Sequence, residues 1–135
     1  MFKNPARQSA MLVAVPAVES GGKYYMSPHF GMAAKFVIAR TEAGRYEIVE
    51  VLQNPHPPGQ EGGGRGRAVV EMLKARGVQA VVALSVGHGA YRHLQAAGIE
   101  VYYYPPRRGL IPIEEALQAL LQGKLEKAQG PRELE

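Results

Sequence analysis

The sequence predicts a mixed α/β domain, a five-stranded sheet with helices on both faces in the element order β-β-β-α-β-α-β-α. Three features predict it. Short runs rich in β-branched and aromatic residues occupy the first third of the chain with no helical period between them. A nearly unbroken apolar stretch at residues 78–86 is then flanked by two glycine-bounded helical patterns, as expected of a strand covered on both faces. A third helical pattern follows the last strand.

Residues 1–10 show no periodicity and read as a flexible lead-in. Residues 11–16 (MLVAVP) form a short apolar run closed by proline, which reads as a buried strand. A glycine-containing connection over residues 19–31 holds the string SPHFG. Residues 35–40 (KFVIAR) and 46–53 (YEIVEVLQ) are two further strands, separated by Thr41, Glu42, Ala43 and Gly44 as a hairpin-like turn. Residues 54–66 (NPHPPGQEGGGRG) contain no apolar side chain except proline, so this stretch is a long loop of the kind that usually carries function. Helical spacing starts at Arg67, with Val69, Val70 and Leu73 on one face and Gly77 as the stop. After the apolar strand come Gly87, His88 and Gly89, then a helix over residues 90–97 with Ala90, Leu94 and Ala97 inward. The last strand is residues 99–104. Pro112 opens a third helix at a position where a missing N–H costs nothing, and Gly123 ends it. Residues 11–123 therefore form one domain, and residues 124–135 (KLEKAQGPRELE) a polar tail.

In this order the first three strands are a meander, and the helical crossovers return the chain to parallel strands. The result is a ribonuclease-H-like topology in which strands one, three, four and five point the same way. The connections after those strands open on one edge: SPHFG, the loop with His56, the Gly87-His88-Gly89 turn and residues 105–111. Open α/β sheets bind ligands at such an edge, and three of the four histidines fall there.

Composition narrows the chemistry. The chain has 135 residues and no cysteine, so there is neither a disulfide framework nor a thiolate ligand or nucleophile. A metal would fall to His, carboxylate, Met or backbone groups. No apolar run approaches the roughly 20 residues of a membrane span, and the apolar stretch near the N-terminus is too short for a signal peptide, so a cytoplasmic address is expected. The net charge of +4 is mild and its basic residues are scattered, which argues against nucleic acid as partner. Every acidic residue is Glu, whereas two-metal phosphoryl-transfer sites rely on clustered carboxylates, commonly Asp.

Several strings occur in a specific order: MLVAVP, SPHFG with a following FVI strand, NP with a GGG-G loop opening a helix, VVAL capped by a Gly-x-x-Ala turn, and AAGIEVY. Together, over about residues 11–123, they resemble the dinitrogenase iron-molybdenum cofactor biosynthesis family, the NifX-like carriers and their relatives. SPHFG is the most specific of them. The resemblance implies a ribonuclease-H-like, non-enzymatic carrier that binds an iron-molybdenum or related iron-sulfur cluster, or its precursor, and passes it from donor to recipient proteins. Many members of the family have no link to nitrogenase. The chain departs from the usual pattern at two places: Gln60 and Glu61 stand where a His often precedes GGG, and Gly-His-Gly-Ala replaces Gly-Pro-Asn-Ala after the fourth strand.

The candidate residues follow from both readings. Ser27 and His29 lie in SPHFG, where a restricted backbone precedes the imidazole; His29 either ligates through one ring nitrogen or satisfies a loop carbonyl. His88 lies between glycines that let a ligand approach Gly87, and it stands in for the lost loop histidine; the other reading is a plain tight turn. His56, in the Pro-rich loop, is a third potential ligand or a solvated side chain. Gly62, Gly63, Gly64 and Arg65 offer backbone N–H groups and a guanidinium at a helix N-terminus, which suits an anion; the other reading is a flexible glycine loop. That anion could equally be a phosphate or carboxylate, so a small anion- or nucleotide-binding module without metal is the alternative function, with a nuclease on the same fold behind it.

Overall fold

Pro16 lies inside the first strand, not at its end. In the computed structural model, which describes residues 10–55 and 65–133, that strand runs from Met11 to Ser20. The Pro16 carbonyl accepts the Ser27 N–H at 2.8 Å, so the proline nitrogen faces the same flank of the strand. Ladder pairing on that flank covers residues 12–14 and 17–20, so Pro16 falls in the gap between the two neighbouring strands. The chain continues extended to Gly21 and Gly22, whose φ values of 60° and 80° form a two-residue hairpin turn.

The elements are β1 (Met11–Ser20), β2 (Lys23–Met26), β3 (Lys35–Glu42), β4 (Arg45–Gln53), α1 (Arg65–Ala75), β5 (Val78–Ala83), α2 (His88–Ala96), β6 (Glu100–Tyr103), α3 (Ile113–Leu121) and β7 (Glu126–Lys127). All strands join one mixed sheet in the order β4-β3-β1-β5-β6-β7, with β2 paired to β1. The five-strand expectation is therefore corrected to seven. The two additions, β2 and β7, are held by backbone pairing and are too short or too polar to leave an apolar run. β3 is antiparallel to β1 and β4 to β3, while β5 and β6 run parallel to β1. Hence β1, β4, β5 and β6 end on one edge.

Alternation along β1 and β3 divides the core. Ala14, Phe36, Ile38, Val81 and Val101 meet α1 through Val69, Val70 and Leu73, and α2 through Leu94. Val13, Val15, Val37, Ala80 and Val82 meet α3 through Ile113, Ala116 and Leu117 on the opposite face. Helices thus cover both faces, and β5 is buried nearly throughout because it lies between them. A bulge between Ile38 and Ala39 leaves Ile48 and Val49 both exposed on the edge strand β4. The polar residues after α3 pair with the sheet: β7 hydrogen-bonds to β6, and Arg132 bridges to Val86. Among the described residues no helix is long and apolar enough to cross a membrane.

Candidate functional site

The SPHFG string is anchored by its aromatic residue. Phe30 is buried and meets Phe36 edge-on, with ring centroids 5.6 Å apart. Ser27 is buried too; its Oγ donates to the His29 carbonyl at 3.0 Å and accepts the His29 N–H at 3.3 Å, closing a local turn. With residues 27 and 30 turned inward, His29 is exposed. A second tie reaches across the fold, where Ser85 Oγ at the end of β5 donates to the Pro28 carbonyl at 2.5 Å. Ser85 lies three residues before His88, so this bond joins the loops that carry the two exposed imidazoles.

The chain leaving β4 is pinned at Asn54. Asn54 Nδ2 donates to the carbonyls of Gly31 at 2.9 Å and Ala33 at 2.8 Å, while its N–H bonds Ala34 O at 3.1 Å. α1 and α2 approach closely at their first turns. A Cβ on Gly66 would lie 2.9 Å from Ala90 Cβ and 3.2 Å from Ala90 Cα, and one on Gly31 would lie 3.8 Å from Gly66 N. Only glycine at 66 permits this spacing. Neither helix has an acidic residue in its first turn, and Gly87 caps α2 with no side-chain hydrogen bond. Two positive helix ends therefore share one rim with the SPHFG loop.

His88 opens α2, with its side chain 77% exposed and Nδ1 3.4 Å from Glu133 Oε2. Glu133 is delivered by the C-terminal segment: Arg132 donates to Leu84 O from Nε at 3.0 Å and Nη2 at 2.8 Å, and to Tyr104 O at 2.6 Å. The guanidinium also stacks 4.3 Å from the Tyr103 ring centroid. Residues 105–111 return the chain to the other side of this edge, where Ile111 O accepts the Met26 N–H at 2.7 Å. Arg107 there pairs with Glu115, whose carboxyl is held below the usual range chiefly by that hydrogen bond. A cleft of about 790 Å³ opens beside β7, but the Arg132 guanidinium in its wall is already committed to carbonyls.

Of the residues singled out in the sequence, Ser27, His29, Gly87 and His88 lie on this rim. His56, Gly62, Gly63 and Gly64 lie outside the described residues, as do Gln60 and Glu61; Arg65 begins α1. Met26 is buried and packs in the core. Among the described residues no three His, Asp or Glu side chains are grouped closely enough to hold a metal ion by themselves. Sequence reasoning missed Asn54, Gly66, Ser85, Arg132 and Glu133, because each acts through a contact 21 or more positions away, or through bare space, and leaves no local pattern. The Asn-Pro pair at 54 and Gly66, the last glycine of the GGG-G string, were marked only as parts of the family pattern.

A family model described as dinitrogenase iron-molybdenum cofactor matches residues 11–123. The chain is similar to an uncharacterized protein of Methanocaldococcus jannaschii, 33% identical over 102 residues that cover 76% of this chain and 81% of that one. Its structure is similar to the apo form of the orange protein from Desulfovibrio gigas, at 29% identity and a TM-score of 0.77, covering 93% and 99% of the two chains. It is also similar to a Thermotoga protein described as a candidate NifB protein, at 32% identity and a TM-score of 0.66, covering 87% and 92%.

Proposed function

This chain belongs to the dinitrogenase iron-molybdenum cofactor family, and from that premise we propose that it binds and carries an iron-molybdenum or related iron-sulfur cluster, or a precursor, as an accessory protein and not an enzyme. The observation that carries the reading is the Ser85 to Pro28 hydrogen bond, which ties the loop of His29 to the turn of His88 beside two helix N-termini whose own first turns hold no acidic residue. Metal-sulfur clusters with a net negative charge suit such a rim. His29 and His88 ligate or flank the cargo, His56 is a third ligand on this proposal, and Gly62, Gly63, Gly64 and Arg65 supply N–H groups and charge. Ser27 and Gly87 shape the two turns. Without thiolates the attachment is labile, which suits delivery to a recipient protein. The similarity to a structure described as an apo form agrees with a protein that takes up and gives up a ligand. On this reading the strand order β4-β3-β1-β5-β6 is ribonuclease-H-like and the protein works in the cytoplasm with cluster donors and recipients.

Anaerobic mixing with iron, sulfide and molybdate, followed by gel filtration and absorption spectra, tests this directly. Wild type is expected to retain coloured cluster and the His29→Ala, His88→Ala double variant to lose it; equal retention removes the ligand assignment. A second reading, a small-anion or nucleotide module without metal, is favoured by the same paired helix ends together with the absence of a three-ligand group among the described residues. Saturable thermal stabilisation by phosphate or a nucleotide, with no cluster uptake, would select it.

A further inference from the structure

The segment after α3 lies beyond the residues that match the family model, yet it reaches the rim. Three contacts fix its course. β7 pairs with β6 at Tyr102 and Tyr103, Ala128 N–H bonds Val101 O at 2.7 Å, and Arg132 exchanges two backbone bonds with Val86, at 2.8 and 2.9 Å. The Arg132 side chain then covers the carbonyls at the ends of β5 and β6, so the strap is fastened on both sides of its last turn. Its next residue is Glu133. The carboxylate stands against Gly87, where a Cβ would lie 3.5 Å from Oε2, and beside His88 Nδ1.

We propose that Glu133 is a positioning residue for His88: it accepts a hydrogen bond from Nδ1–H and thereby leaves the Nε2 lone pair outward, as the donor atom for the cargo. Free imidazole side chains favour the opposite tautomer, with the proton on Nε2, which is the wrong form for ligation through that atom. A carboxylate on Nδ1 reverses the preference. The step to cargo rests on the cluster-carrier reading; the tautomer does not. No other acidic group has a hydrogen bond or ion pair with His88 among the described residues.

Long-range 1H–15N spectra of histidine in the cargo-free protein, at a pH where the ring is neutral, decide it. Wild-type His88 is expected to carry its proton mainly on Nδ1, Glu133→Ala to return it to Nε2, and Glu133→Gln, which keeps an acceptor oxygen, to retain part of the wild-type form. A wild-type His88 protonated on Nε2 overturns the proposal, and needs no variant. In the iron, sulfide and molybdate mixture, Glu133→Ala should retain roughly tenfold less cluster. The expected tautomers with no cluster uptake by wild type would leave Glu133 in its role and defeat the carrier reading instead.

Discussion

Replacing Gly66 with alanine separates ordinary helix energetics from the close approach that builds the rim. Alanine is normally better than glycine inside a helix by about 0.5–1 kcal/mol, so a position with free space would gain stability. Here the new methyl would stand 2.9 Å from Ala90 Cβ and 3.2 Å from Ala90 Cα. Neither atom can rotate away, since one is backbone and the other is fixed to it, so α1 and α2 must move apart. Overpacking of this kind costs about 1–3 kcal/mol, and with the contact against backbone the upper half of that range applies. The net expectation is a loss of about 1–2 kcal/mol, which at this chain length lowers Tm by roughly 4–7 °C. Far-UV circular dichroism melts of Gly66→Ala, Ala90→Gly and the double variant close a cycle. The double variant should recover about 1 kcal/mol relative to additivity, because removing the Ala90 methyl opens the space. A higher Tm for Gly66→Ala alone would refute the close approach.

Asn54→Ala removes two side-chain bonds to the carbonyls of Gly31 and Ala33, and is expected to cost about 1–2 kcal/mol, read from the denaturant midpoint, with faster amide exchange in the SPHFG loop. Ala43→Gly should stabilise by about 0.5–1 kcal/mol in the same assay, because Ala43 has φ 55° and the relief of a left-handed alanine exceeds the added unfolded-state entropy. Burial pushes the Tyr102 and Tyr103 hydroxyls up to about 12, with Glu100 adding to the first. The unfolded chain loses these protons near pH 10 and the folded one about two units later, so their contribution is intact below about pH 10 and lost as pH rises towards 12. Tm measured across that interval should fall less steeply in a Tyr102→Phe, Tyr103→Phe variant.

The strands and helices that bury side chains were legible because burial imposes a period. Val69, Val70 and Leu73 announce α1, and the unbroken apolar run announces β5 as a strand between two helical layers. β2 was legible in principle, since two glycines after an extended run are a hairpin signal, but Pro16 masked it by resembling a strand end. β7 was not legible: Glu126 and Lys127 are exposed, and the pairing is made by backbone atoms common to every residue. The same holds at the rim. Histidine and glycine attract notice by chemistry, whereas Ser85 and Arg132 do their holding through carbonyls of residues far along the chain.

That division has a consequence for reading any loss of binding. The groups that fasten the rim all aim at backbone carbonyls: Ser27 at His29, Ser85 at Pro28, Asn54 at Gly31 and Ala33, and Arg132 at Leu84 and Tyr104. The imidazoles of His29 and His88 take no part in this fastening and stand exposed, and the contact of His88 with Glu133 is a weak surface one at 3.4 Å. Truncating either ring to alanine should therefore change stability by no more than about 0.5 kcal/mol, as at ordinary surface positions. Unchanged melting with lost cluster retention would assign the loss to the rings themselves. A fall in Tm as large as that expected for Asn54→Ala would show instead that the imidazoles help to hold the loops, and the separation between scaffold and ligands would not stand.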